Sequence, residues 1–336
     1  MNRGERVKAV LDGKKPDRVP VSVWFHFSKY DQDPVSLAEV EAEFVQKYDY
    51  DFIKMMPFGD YGIQDLGAKL NIFCQTGKMV TLARPGIQTI QDYLNLKVIP
   101  GIQGTYGKQV EFAQHLRKIV KNDTPIIQTI FSPLTTLHKL TDGKVLEDMK
   151  NYPNAVHHAL EVITAITNDF VDYNIAAGVD GFFFATQDAQ KDSISIEDYR
   201  TFGEFYDLAV MNSYVKRTWF NVIHIHGLNV YFDEIEKKYP IAVLNWHDRN
   251  TAPSLAEARQ KTARPLLAGI RAATKIVNGK RIRDDIVKDG TPEEIISHIR
   301  EAISSVDGKG LMIGPGCVVA QNCPEENLRA VRRAVE

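Results

Sequence analysis

The sequence predicts an α/β protein folded as a (β/α)8 TIM barrel, one domain over residues 1–336, with an insertion between the second and third strands. Three observations carry that expectation. Short runs of β-branched and aromatic residues alternate with longer stretches of helical periodicity, the pattern of a parallel sheet with crossover helices. Most of the short runs are apolar nearly throughout, as strands buried on both faces are. There are eight of them in 336 residues, enough to close a barrel, which needs about 250 residues before insertions. A doubly wound open sheet is the alternative. No GxGxxG or GxxxxGK[ST] follows any candidate strand, which removes support for a nucleotide-binding version of it.

Taken in order, the candidate strands are Val19–Trp24, Phe52–Met56, Thr124–Phe131, Gly181–Ala185, Asn221–Gly227, Ile241–Trp246, Arg264–Ile270 and Gly310–Gly316. Between them, Ser36–Tyr48 reads as a helix, with Ser36 and Glu39 at capping-box spacing. Leu146–Tyr173 is helical with a break at Pro153, and Ser195–Phe220 is helical for most of its length. Asp233–Lys238, Ser254–Lys261, Thr291–Ser304 and Pro324–Val335 complete the set. Thr291-Pro292 is an N-cap followed by proline in the first turn, and Pro324 suits a first helical position. The surplus chain, Pro57–Asp123, has turn signals at Gly77 and Pro85-Gly86 and a short apolar stretch, Met79–Leu82, that suits an extra hairpin.

Composition narrows the class. The chain is 44% hydrophobic and 25% charged, with a net charge of −2, so it can bury a large core and lacks the basic excess of a general nucleic-acid binder. Three cysteines, Cys74, Cys317 and Cys323, are too few for a disulfide framework and point to a reducing, cytoplasmic setting. The first residues show no secretory apolar segment, and no run approaches the ~20 apolar residues of a membrane span.

In a barrel, chemistry sits at the C-terminal ends of the strands. The polar residues there are His26, Asp60, Gln187, Asp188, His224, His226, His247, Asp248, Arg249 and Cys317, with His138 further along after the third strand. The most informative piece is Val-Ile-His-Ile-His-Gly at 222–227. Strand side chains alternate faces, so Val222, His224 and His226 share one face and Ile223 and Ile225 the other. Both histidines then point into the barrel mouth, where they could share a metal or an anion, or stand as hydrogen-bonded pore residues. Cys317 converges on the same mouth. With the two histidines it makes a three-ligand catalytic zinc set, or it packs as a small buried thiol. Cys74 and Cys323 read as structural. His157, His158, His298 and His115 read as helix-surface residues. Lys139, His138 and Arg249 are candidate anion contacts, and Trp24, Phe25 and Phe27 either wall a pocket or pack in the core.

Four stretches then show a family resemblance: Asn2–Trp24, Ala176–Ala189, His224–Trp246 and Gly310–Val331. Together with the order of elements, they resemble the uroporphyrinogen decarboxylase superfamily, along essentially the whole chain and most clearly from Gly178 onward. The resemblance implies a single (β/α)8 barrel and one of two chemistries. One branch decarboxylates uroporphyrinogen without a cofactor. The other holds corrinoid-linked methyltransferases that use zinc to activate a thiol or other acceptor.

The decarboxylase branch carries an Arg-containing motif after the first strand that binds substrate carboxylates. Here Trp24-Phe25-His26-Phe27-Ser28-Lys29-Tyr30 stands there, with both arginines absent and Lys29 the remaining cation. The family aspartate after strand two matches Asp60, and the family tyrosine after strand three falls near Lys139. The methyltransferase branch carries His-x-Cys-Gly at strand five and Gly-Cys near strand eight. His224 matches the histidine, His226 stands in place of the first cysteine, and Cys317 matches the second.

The resemblance therefore implies a zinc-dependent methyltransferase with His224, His226 and Cys317 on the metal. His26, Asp60, Gln187 and His247 are candidate catalytic residues. The methyl donor would be a methylcorrinoid carried by a separate corrinoid protein, because this chain lacks a cobalamin-binding Asp-x-His-x-x-Gly. The substrate is a small molecule, and neither nucleic acid nor membrane is expected as a partner. A cofactor-independent decarboxylase, on uroporphyrinogen or a smaller carboxylate, is the second reading. A non-catalytic ligand-binding barrel is the third.

Overall fold

The computed structural model describes residues 1–277 and 280–336. Its strands are β1 (Ile53–Lys54), β2 (Lys69–Asn71), β3 (Thr81–Arg84), β4 (Ile126–Phe131), β5 (Gly181–Thr186), β6 (Val222–Ile225), β7 (Val243–Trp246), β8 (Leu266–Ile270), β9 (Ala272–Val277), β10 (Lys280–Asp285) and β11 (Leu311–Pro315). Seven of these pair in the order β1-β4-β5-β6-β7-β8-β11, every pairing parallel. The α/β barrel expected from the sequence is the fold observed.

The first predicted strand is reduced to one parallel bridge, Val21 to Ile313, yet it closes the barrel. On one side Ser22 N donates to Ile313 O and Ile313 N to Pro20 O. On the other, Asp51 N donates to Val21 O, and the Ser22 hydroxyl donates to Phe52 O at 2.7 Å. Charge-assisted bonds hold this seam. The fully buried Asp51 carboxylate takes Arg6 and Arg18 at 2.6 Å each and accepts from Val21 N.

Alternation of side chains sorts each stave into an outer and an inner column. The outer residues, such as Ile223, Ile225, Leu244 and Ala268, join the large core beneath the helices. The inner residues Trp24, Phe52, Ile127, Phe183, Val222, Val243, Leu267 and Met312 form a separate cluster inside the barrel. Val7 and Val10 of the helix Arg3–Leu11 join that cluster and plug its floor. Two residues further along the same columns the side chains turn polar, and that change builds the site.

Several local expectations are corrected. Asp33, not Ser36, caps the helix Pro34–Lys47, because Pro34 occupies the first turn and Asp33 Oδ1 accepts from Ser36 N. Pro324 is the N-cap of Glu325–Arg333 rather than its first residue. The long helical stretch does break at Pro153, giving Val145–Asn151 and Pro153–Ala176. The Ser195–Phe220 stretch passes through a π-helical turn, Tyr199–Glu204, and ends at Tyr214. Thr291 is the N-cap of the helix Pro292–Ser304, as expected, with a complete capping box to Glu294. The insertion contains the hairpin β2–β3 as expected, and also the helix Gly104–Val120. The antiparallel hairpin β9–β10 after β8 was not foreseen, although its alternating residues and the Asn278-Gly279 dipeptide between them are hairpin signals in the sequence.

Candidate metal centre and active site

The register across β5, β6 and β7 aligns Phe183 with Val222 and Val243, and one step higher Ala185 with His224 and Asn245. Because the lower row is the barrel interior, the upper row also faces inward. His226 and His247 continue the same columns beyond the strand ends. Gly227, at φ 110°, turns the chain away directly after His226, and a Cβ there would meet Gln190 Oε1 at 2.3 Å.

These columns bring His224, His226 and His247 together with Cys317, two residues past β11. One donor atom from each lies within 4.8 Å of the others. Cys317 Sγ is 3.9 Å from His226 Nδ1, and His224 Nε2 is 3.4 Å from the same nitrogen. His224 Nδ1 and Asn245 Oδ1 are 2.6 Å apart. The Asn245 amide nitrogen donates to Leu267 O and Pro315 O, so its oxygen faces the imidazole and His224 Nδ1 must carry the proton. The Nε2 lone pair then points into the cluster. Burial, reinforced by His226 and His247, holds His224 well below the ordinary imidazole pKa, so it is neutral. Both ring nitrogens of His247 are buried without a hydrogen-bond partner. Burial pushes the Cys317 thiol up, but the nearby His247 ring, the Val318 N–H and Arg283 outweigh it, and the net shift is downward.

This donor set fits zinc. Imidazole nitrogens and a thiol with lowered pKa are zinc's preferred ligands, one imidazole is locked in a ligating tautomer by an outer partner, and the unpartnered His247 nitrogens lack a satisfied alternative.

A cavity of about 140 Å3 opens beside the cluster. His26, Lys54, Gln187, His224, His226 and Cys317 supply polar walls, and Trp24, Met56, Phe131 and Phe183 apolar ones. Lys139 also lines it, with Nζ 4.0 Å from the Phe131 ring centroid. No carboxylate is among its described lining residues. Burial lowers Lys139 against the pull of Asp60. Burial, with Lys54 and Lys139 nearby, lowers His26 to about 3, so its ring is neutral.

Of the residues singled out from sequence, His26, Gln187, His224, His226 and Cys317 share this cavity, and His247 joins through the donor cluster. Asp60 stands behind it, 3.5 Å from Lys139 Nζ. His138 lies on the helix Pro133–Leu140 and pairs with Asp188 at 2.6 Å, which raises its pKa. Arg249 turns outward to Glu301 at 2.6 Å. Three histidines expected at the solvent face are engaged instead: His158 Nε2 lies 3.3 Å from Leu96 O, and the other two are His157 and His298. His157 stacks on Phe202 and bonds Tyr206, and His298 accepts from Arg271 N. Trp24 walls the cavity, whereas Phe25 and Phe27 pack against Phe44.

Sequence reading missed Lys54, Glu41 and Asn245. Lys54 had a signal: it follows Phe52 by two residues, so it shares the inward face. Asn245 had the same signal from Val243. Glu41 had none, since a helical glutamate is ordinarily solvated.

Fold and site together define a parallel (β/α)8 barrel protein with a metal-competent histidine–cysteine cluster at its mouth. The chain belongs to the uroporphyrinogen decarboxylase (URO-D) family, which matches residues 2–336. A uroporphyrinogen decarboxylase from Trichodesmium erythraeum is 26% identical over 229 residues. That match covers 65% of this chain and 59% of the Trichodesmium protein, so less than two thirds of the relative is spanned. Among solved structures, a methyltransferase from Methanosarcina mazei superposes with a TM-score of 0.81 at 17% identity, over 99% of this chain and 98% of that one. A B12-independent methionine synthase from Shewanella sp. W3-18-1 gives 0.58 at 15% identity, over 94% and 90%. These likenesses concern the fold. Among the described residues, no helix is long and apolar enough to cross a membrane.

Proposed function

We propose that this protein is a zinc-dependent methyltransferase, with His224, His226 and Cys317 as metal ligands. The observation that carries the reading is the tautomer of His224, fixed by Asn245 so that its free lone pair meets the other donors. Zinc bound by three protein ligands supplies a Lewis-acidic open position that makes a neutral acceptor group acidic. The protein's own residues do the rest. Phe183 stacks on His224 at 5.4 Å between ring centroids and, with Trp24 and Met56, keeps the base of the cavity apolar. Gln187 offers an amide for orienting the acceptor. His26, held neutral by burial, and His247, in the donor cluster, offer ring nitrogens to the site. The donor is a methylcorrinoid presented by a separate protein, as the sequence resemblance implies.

The cavity also speaks to the substrate's size. At about 140 Å3 it suits a molecule near the size of benzene. A tetrapyrrole with eight carboxylates is far larger and needs several fixed cations, and Lys29 is exposed, over the Tyr30 ring at 5.3 Å. We therefore place a small acceptor, not uroporphyrinogen, in this site. Elemental analysis of protein purified without chelators and supplied with zinc tests the reading. One zinc per chain, lost in His224→Ala, is the expected result, and a metal-free wild type refutes it.

A further inference from the structure

Lys54 borders two cavities. One is the main cavity beside the donor cluster. The other is a space of about 10 Å3 bounded by Lys54, Glu41, Trp24, Phe27 and Phe44, room for about one water. Glu41 reaches it from the helix Pro34–Lys47. Its Oε1 accepts from Met56 N at 2.7 Å, and its Oε2 is buried with no hydrogen-bond partner. Lys54 Nζ touches Met56 Sδ at 2.7 Å and lies 4.7 Å from the Phe183 ring centroid. A thioether and a ring face are poor substitutes for water around an ammonium.

We propose that Glu41 and Lys54, bridged by one buried water, form a proton-holding pair in which Lys54 Nζ takes the proton from the methyl acceptor. Lys54 is the catalytic base, and Glu41 is a positioning residue acting through it. This rests on the methyl-transfer reading above. In the step, the acceptor's X–H bond breaks, its electron pair stays on X, and an N–H bond forms at Nζ. X then bonds the methyl carbon as the bond to the corrinoid donor breaks and its electron pair leaves with the donor.

The electrostatics agree with the geometry. Burial lowers Lys54 to about 7, with Glu41 and Cys317 pulling the other way. Burial raises Glu41 to about 8, against the Met56 N–H and Lys54. Of the other titratable groups that line the cavity with Lys54, which are His26, Lys139, His224, His226 and Cys317, burial holds His26 and His224 neutral and lowers Lys139, and the Cys317 thiol is shifted down. An amine that titrates near neutrality is matched to taking a proton under ordinary conditions.

The test is an NMR pH titration of the zinc-loaded full chain carrying 13C-labelled lysine, with zinc content measured in every variant. One lysine resonance should titrate near neutrality, vanish in Lys54→Met and move down in Glu41→Gln, because the two titrations overlap and the ionised fraction of Glu41 helps hold the Lys54 proton. With 2-mercaptoethanol as the acceptor probe at about pH 8, the same resonance should shift toward its ammonium position. If Lys54→Met does not fold, Lys54→Arg supplies the assignment. A lysine titrating at its ordinary value, a midpoint untouched by Glu41→Gln, or a resonance unmoved by the thiol overturns the proposal. Loss of zinc from the wild type refutes the metal reading instead and leaves the Glu41–Lys54 titration standing on its own.

Discussion

His224 donates its Nδ1 proton to Asn245 Oδ1 across 2.6 Å, and Asn245 is itself held by two backbone carbonyls, Leu267 O and Pro315 O. That chain of bonds ties the orientation of one imidazole to three neighbouring staves, β7, β8 and β11. A ligand fixed in this way loses little freedom when a metal binds, which is why outer partners affect affinity.

His224→Ala should abolish zinc binding, whereas His157→Ala should leave it intact. His157 stacks on Phe202 away from the donor cluster, so it controls for general damage. Metal content by mass spectrometry decides it, and equal zinc in both variants contradicts the ligand assignment.

Asn245→Leu should weaken zinc by about 10–100-fold, because the imidazole is then free to rotate or change tautomer. The same change leaves two buried carbonyls without a donor, at a cost of about 1–3 kcal/mol. Chelator competition and thermal melting read the two effects separately. Unchanged zinc affinity in a destabilised variant would reduce Asn245 to a structural role.

Cys317→Ser should lose most zinc, since a neutral hydroxyl replaces a thiol with lowered pKa. His247→Ala should retain stoichiometric zinc but lose methyl transfer, because the proposed centre has His224, His226 and Cys317 as its three ligands and leaves the fourth position to the acceptor. Loss of zinc in His247→Ala would show a closed, four-ligand centre.

Glu41 and Lys54 impose opposite slopes on stability. The native Glu41 carboxyl keeps its proton from its ordinary 4.5 up to about 8, so the folded state binds more protons and stability falls as pH rises through that window. Lys54 is lowered from 10.5 to about 7, so between those values the unfolded state binds more protons and stability rises with pH. Glu41→Gln removes the first slope and should gain stability relative to wild type between about pH 5 and pH 8. Urea denaturation at both ends of that range measures it, and a constant difference would place Glu41 in an ordinary, ionised setting.

Conversion of uroporphyrinogen to coproporphyrinogen should be weak or absent. Lys29 is exposed, and the paired arginines that clamp carboxylates have no equivalent in Trp24–Tyr30. Efficient turnover in a steady-state assay would favour the decarboxylase reading.

The barrel and half of its site were legible in the sequence because both depend on local periodicity. Seven of the eight predicted strands pair as strands, and Val222, His224 and His226 share the inward face that alternation assigns them. The same rule, run from Phe52 and Val243, reaches Lys54 and Asn245, so those omissions were not forced by the sequence. What only the tertiary structure decided depends on distance across the chain. Nothing local tells that Glu41, on an outer helix, buries an oxygen beside Lys54, or that the four donors expected at one mouth, on His224, His226, His247 and Cys317, close to within 4.8 Å of one another. Nor does local pattern show that Val19–Trp24 contributes a single bridge, since its closure depends on β11 and Asp51 from distant segments. Side-chain alternation is a property of a strand, whereas burial, tautomer and pKa belong to whatever the rest of the fold places beside it.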